Sequence, residues 1–259
     1  MRAAALLVLA LLPLGALAQE APRRIAALAP HAVEMLFLLG VGDRIVATVD
    51  HADHPPAARA IPRIGDAFSL SLEALVATRP DLVVAWGSTL DGQRRARLET
   101  VVPELFVSEP GDLDGVADEL DRLAARLGRG RGAADAFRRR LEALPEPGGE
   151  AVRVLPLVSL APPTTLGPGS FVDDVLRRCG AVNPLAGDGP VVVPLSREVL
   201  LTVDLDHVLP MVDDGPAAVA ALFAGPVRAL DVDPDLLARP GPRLLEGAER
   251  LCALLGTDT

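Results

Sequence analysis

Two stretches, SLEALVATRPDLVVA at 71–85 and SREVLLTVDLDHVLP at 196–210, share one pattern. Ser71, Glu73, Leu75, Asp81 and Val83 align with Ser196, Glu198, Leu200, Asp206 and Val208. A pattern that returns in both halves of a chain predicts two similar folding units. Each copy reads as a short helix, then an Asp, then a hydrophobic strand. Serine is a good helix N-cap, and an acidic residue in a first turn gains about 0.3–1 kcal/mol from the helix dipole.

The rest of the chain supports this division. Strands are predicted at 25–29, 44–49, 81–86 and 105–108, and helices at 31–39, 72–78 and 90–100. Strands alternating with helices argue for a parallel sheet. The period then changes. Leu113, Val116, Leu120, Leu123 and Leu127 mark one apolar stripe, and Ala134, Phe137, Leu141 and Leu144 another. Residues 112–144 read as a long helical connector with GRGRG at 128–132 as its interruption. PEPGGE at 145–150 ends it. The first pattern restarts with a strand at 152–160, closing on Leu160-Ala161-Pro162 as the first strand closes on Leu28-Ala29-Pro30. A helix at 171–178, the helix of Glu198, strands at 207–212 and 227–232 and a helix at 243–255 complete it. The expected fold is α/β: two Rossmann-like lobes with parallel sheets, at 19–111 and 151–259, joined by a long helical bridge at 112–150. A continuous helix resists hinging, so only modest lobe closure is expected.

The N-terminus has a short basic start at Arg2, an apolar run AAALLVLALLPLG, and Ala16-Leu17-Ala18. That is the form of a secretory signal, and the run is shorter than the ~20 residues a spanning helix needs. Cleavage after Ala18 would release a soluble protein outside the cytoplasm. Cys179 and Cys252 are the only cysteines. In an exported chain they read as a disulfide, closing a loop worth up to about 4 kcal/mol on the chain-entropy account; two free buried thiols are the alternative. The net charge of −10 argues against nucleic acid, whose phosphates want a basic face.

The run RIAALAPHAVEMLFLLGVGDRIVATVDHADHPPAARAIPRIG at 24–65, the motif SLEALVATRPDLVVAW, and SREVLL with the LRRCGA and ERLCALL cysteines resemble the periplasmic vitamin B12-binding proteins. These belong to a wider family of substrate-binding proteins for cobalamin, haem and ferric siderophores. The resemblance implies a periplasmic monomer that holds its ligand in the cleft between two lobes bridged by a helix. It also implies delivery to an ABC importer, with one surface Glu on each lobe docking into arginines of the two permease copies. Glu73 and Glu198 fall on those positions. Capping and dipole effects alone would also place a Glu there, and the two readings are compatible.

The implied ligand is cobalamin or a related corrinoid, with haem or a ferric siderophore, an iron chelate, as the alternative. No permanently bound cofactor is implied. The cleft positions carried across are His51, His54, Ala67-Phe68, Trp86, Thr164, Val192, and Asp235 to Arg239. The family tends to have aromatics where this chain has His51, His54, Thr164 and Val192. Phe68 and Trp86 remain as rings, while Asp235 and Arg239 keep the polar end of the pattern and suit corrin amides. Trp86 ends a strand, where open α/β sheets place ligand contacts; a core Trp is the alternative.

The segment DHADH at 50–54 brings two imidazoles together. His51 or His54 is a candidate axial ligand to a corrin or haem metal, since neutral imidazole binds cobalt, iron and zinc. Either ring would serve equally as a flat polar contact. A zinc site of His31, His51 and His54 is a third reading, and His207 reads as a core or surface residue. A secreted metal-dependent hydrolase using DHADH is the competing class. The chain has neither a Gly-x-Ser-x-Gly elbow nor an HExxH helix to support it.

Overall fold

Three layers of side chains organise the computed structural model, which describes residues 20–66, 69–187, 189–212, 218–219, 221–223 and 225–256. The signal segment expected at 1–18 and the cleft residues Ala67 and Phe68 lie outside these. In the first half, β1 (Ile25–Leu28), β2 (Ile45–Thr48), β3 (Leu82–Trp86) and β4 (Leu105–Ser108) form a parallel sheet in the order β2-β1-β3-β4. In β1, Ile25 and Ala27 enter a central core while Ala26 and Leu28 enter an outer one. Leu82 and Val84 of β3 divide from Val83 and Ala85 in the same way. Burial on both faces explains why these strands read as unbroken apolar runs rather than alternating ones.

The helices of this half are α1 (Pro30–Leu38), α2 (Leu72–Ala77) and α3 (Gly92–Val101). Pro30 occupies the first turn of α1, where its missing N–H costs nothing. The connector contains α4 (Leu113–Arg126) and α5 (Gly132–Glu142). The glycine-rich interruption is a reversal: α5 folds back along α4, and Arg138 reaches both Asp118 and Asp121 at 2.7 Å. Positive φ at Gly128 makes the turn.

The second half contains β5 (Val152–Leu157), β6 (Ser159–Leu160), β7 (Pro163–Leu166), α6 (Phe171–Arg178), β8 (Ala181–Val182), β9 (Val192–Pro194), α7 (Arg197–Thr202), β10 (His207–Pro210), β11 (Arg228–Ala229), α8 (Pro234–Leu237) and α9 (Leu244–Gly256). Its main sheet, β11-β10-β5-β8, is parallel. Read from the other edge, that order is the first sheet's order again. Val154 and Leu209 join the same central core as Ile25 and Leu82, so the two lobes share packing. Cys179, capping α6, is bonded to Cys252 on α9.

The segment Leu160-Ala161-Pro162 departs from expectation. It does not lead into a helix as Leu28-Ala29-Pro30 does. It makes the turn of an antiparallel hairpin, β6–β7, to which β9 adds a third strand. The next residues, Pro163-Thr164-Thr165, explain this, because β-branched threonines favour strands and proline lacks the donor a helix interior needs.

The repeat has a local physical basis. Ser71 and Ser196 accept hydrogen bonds from the N–H groups of Ala74 and Val199, capping α2 and α7. Leu75 and Leu200 are buried beneath. Asp81 accepts the N–H groups of Arg23 and Arg24 at 2.9 Å, and Asp206 accepts that of Arg153 at 2.9 Å. Each Asp thus ties the start of one strand to the neighbour that pairs with it.

Candidate ligand-binding cleft

Both parallel sheets aim the carboxyl ends of their strands at one cavity of about 540 Å3. Trp86 ends β3, Ser88 follows it, and Glu109 to Gly111 follow β4. From the other lobe come Val158 after β5, Phe171 at the start of α6, and Met211 after β10. This is where open α/β sheets place ligands. Leu166, Val191 and Val192 extend the apolar wall. Val191 and Val192 are both exposed, side by side on this wall.

Trp86 is held from below. His31, in the first turn of α1, is fully buried and meets the indole edge-on, with ring centroids 5.3 Å apart. Its Nε2 is 2.8 Å from the Ser108 hydroxyl, while Nδ1 has no hydrogen-bond partner. Burial, assisted by the Arg239 charge, lowers its pKa to about 3, so the ring is neutral. Behind Ser108 lies Glu119 of α4, also fully buried. Its Oε2 accepts the Glu109 N–H at 3.1 Å, and Arg122 stands 3.2 Å away. Burial raises the Glu119 carboxyl, and the Ser108 hydroxyl and Glu109 N–H oppose that shift.

The residues expected in the cleft divide into groups. Trp86 and Val192 line the cavity. Thr164 does not, but it shares a face of β7 with Leu166, which does. Asp235 and Arg239 form a clasp instead. The Arg239 guanidinium stands 3.2 Å from Asp235, 3.6 Å from Asp53 and 3.6 Å from Glu34. Its chain neighbours Ala238 and Pro240 face the cavity. Glu34 and Asp53 come from the first lobe, so the clasp joins the lobes. The guanidinium groups of Arg239 and Arg243 stand 3.6 and 3.8 Å from the Glu34 carboxylate, beyond hydrogen-bond distance. Burial raises its pKa to about 7 against the pull of Arg243 and Arg239.

His54 belongs to a different cavity, of about 420 Å3, walled by Phe37, Leu38 and Phe137 and by Arg140, Arg243 and Glu246. Burial, then the Arg243 charge, lowers its pKa. His51 is exposed and takes a positive φ of 63°. The structure therefore does not bring His54 and Trp86 into one pocket. Among the described residues, no group of three or more His, Cys, Asp or Glu side chains is arranged to hold a metal ion. His207 is a buried strand residue of β10. Glu73 and Glu198 are exposed on α2 and α7, away from the cavity walls.

Ser88, Glu109, Phe171 and Met211 were not expected in the wall. The signal for them is present in the sequence, since Ser88, Glu109 and Met211 lie just beyond a strand and Phe171 opens a helix. The strand-end rule applied to Trp86 reaches Ser88, Glu109 and Met211 once it is applied to every strand.

Comparison with known proteins gives a consistent result. The profile of the family described as "Periplasmic binding protein" matches residues 25–215. The vitamin B12-binding protein of Vibrio cholerae serotype O1 is 30% identical over 247 residues, covering 90% of this chain and 88% of that protein. The crystal structure of the periplasmic vitamin B12 binding protein BtuF of Vibrio cholerae superposes with a TM-score of 0.79 at 28% identity, covering 92% of this chain and 98% of that one. The periplasmic heme-binding protein BhuT, in complex with two hemes, gives a TM-score of 0.76 at 27% identity, over 90% of this chain and 98% of that one. Among the described residues, no helix is long and apolar enough to cross a membrane.

Proposed function

The chain belongs to the periplasmic binding protein family, and from that premise we propose that it captures cobalamin or a related corrinoid in the cleft and delivers it to an ABC importer. The family is one of binding proteins rather than enzymes. The observation that carries the ligand reading is the cavity itself. A single indole, braced edge-on by His31, faces an apolar wall of Phe171, Met211 and Val192 across the two lobes. Such a slot suits a broad, flat, apolar ring whose polar groups lie on its rim.

Periplasmic location, release of residues 1–18 after Ala18, a monomeric state, and division into 19–111, 112–150 and 151–259 complete the reading. Docking to the permease falls to Glu73 and Glu198. Support comes from their matched positions: each sits two residues after its capping serine and two before a buried leucine. Each also has an exposed apolar residue one turn on, Val76 at 46 % and Leu201 at 45 % exposure. A two-fold permease requires a partner with matched contacts on both lobes.

Haem is the second reading, favoured by the likeness to BhuT. It would give His51 or His54 the role of axial ligand. Against it, the lining of the Trp86 cavity contains neither residue. Titration of the mature protein with cobalamin and, in parallel, with haem tests both readings through Trp86, the one tryptophan. Saturable quenching by cobalamin at low micromolar concentration or below, after inner-filter correction, is the expected result. Quenching by haem alone would transfer the assignment to haem. Silence with both would remove the ligand assignment and leave the family membership standing.

A further inference from the structure

The cavity has one charged residue among its described lining side chains, and it is acidic. Glu109 stands on the segment after β4, facing the apolar wall of the other lobe. Its position is built from three sides. Its backbone N–H donates to the buried Glu119 carboxylate of the bridge helix at 3.1 Å. The Ser88 hydroxyl donates to its Oε1 at 2.5 Å. Its Oε2 lies against the Cα of Gly87, where a Cβ would collide with it. Glycine at 87 therefore makes room for this carboxylate.

Among the described lining residues, no basic side chain offsets that charge. Arg239, flanked by the lining residues Ala238 and Pro240, is engaged by Asp235, Asp53 and Glu34. A ligand entering the slot meets a carboxylate with no cationic side chain among the described lining residues. Amide N–H groups on the ligand rim would donate to it, in charge-assisted bonds stronger than neutral ones. Carboxylates in the same place would be repelled, in a site whose walls are otherwise of low polarity.

The geometry points to Glu109, held by Ser88 and Gly87, as a subsite that selects amide-bearing corrinoids and rejects carboxylate-bearing tetrapyrroles. This rests on the cleft being a corrinoid site, and it names the chemistry by which that site would choose.

The test compares cyanocobalamin with dicyanocobyrinic acid, which carries carboxylates where the corrin ring of cobalamin carries amides. Trp86 fluorescence follows both in the wild type, Glu109→Gln, Glu109→Arg and the remote Glu142→Gln. The wild type is expected to prefer cobalamin, with Glu109 contributing roughly a tenfold discrimination. Glu109→Gln should narrow the ratio by that factor, Glu109→Arg should narrow it further, and Glu142→Gln should leave it unchanged. Thermal melts verify that each variant folds; Glu109→Gln keeps an acceptor for Ser88 and Glu109 is exposed, so both are expected to do so. Normal cobalamin binding with the same ratio in all four proteins would overturn this inference and leave the proposed function intact. Binding of neither corrinoid by the wild type would overturn both. An equal narrowing in Glu142→Gln would show that overall charge, not the subsite, sets the preference, and would also overturn it.

Discussion

His31 and Glu34 sit one turn apart on α1, both buried, and burial moves their titrations in opposite directions. The His31 pKa falls from 6.5 to about 3. Its uncharged ring contributes stability that is fully present above 6.5 and lost as pH falls from there toward 3. The Glu34 pKa rises from 4.5 to about 7. Its contribution is fully present below 4.5 and lost as pH rises through 7. Each has a limiting slope of about 1.4 kcal/mol per pH unit. Between pH 4.5 and 6.5 the two slopes oppose each other. Glu34→Gln is therefore expected to lose stability relative to the wild type as pH drops from 6.5 to 4.5, and His31→Gln to gain it. Urea midpoints measured against pH provide the check, and the difference from wild type cancels groups titrating elsewhere. Parallel curves for all three proteins would show that neither group titrates as its burial dictates. Neither residue is identifiable from sequence alone as buried and ionisable. His31 shows only a polar residue after a proline, and its burial comes from Gly241, where even a Cβ would come within 2.7 Å of the His31 Cβ.

At the level of elements, α2 and α7 carry the argument about the partner. In both, serine caps the helix, leucine anchors it, and glutamate faces solvent. Glu198 is further held below the usual carboxylate range by its own N–H and then by the Ser196 hydroxyl, so it stays charged where docking would need it. Interface charges steer encounter and fix register. Glu73→Ala combined with Glu198→Ala is expected to cut cobalamin uptake through the cognate importer by at least about tenfold, with ligand affinity unchanged. Uptake at the wild-type rate would end the docking role. These elements were legible because their signals are local: a cap, a buried leucine four residues later, a strand after the Asp. The β6–β7 hairpin was less so, since the apolar run at 152–160 gives no warning that Val158 separates a central strand from a hairpin arm. His54 illustrates a different limit. Its loop is evident in the sequence, but which cavity it enters depends on α5 and α9, contributed by distant parts of the chain.

For the molecule as a whole, the question is how far the lobes can move about the bridge. Helix α4 is fastened to the second lobe at its start, where Asp174 accepts the Leu113 N–H at 3.0 Å and Arg178 meets Asp114 at 2.7 Å. It is fastened to the first lobe at its end, where Arg126 pairs with Glu104 and Arg129 donates to the Gly40 carbonyl at 2.7 Å. A single apolar core runs from β1 through α4 to β5, and the Arg239 clasp closes one side of the cleft. The Cys179–Cys252 bond ties α6, against which α4 is anchored, to α9. Opening the cleft widely would break the clasp and expose part of the shared core, and removing one partner of a buried ion pair is costly. Ligand entry is therefore expected with little change of shape. For a compact chain of this size the radius of gyration is about 18 Å, and small-angle scattering with and without cobalamin should differ by only a few tenths of an ångström. Arg239→Ala, which frees one side of the cleft but leaves α4 fastened at both ends, should enlarge that difference only slightly. A wild-type compaction of an ångström or more would mean that the reversal at 127–131 acts as a hinge and that α4 is not the strut its contacts describe.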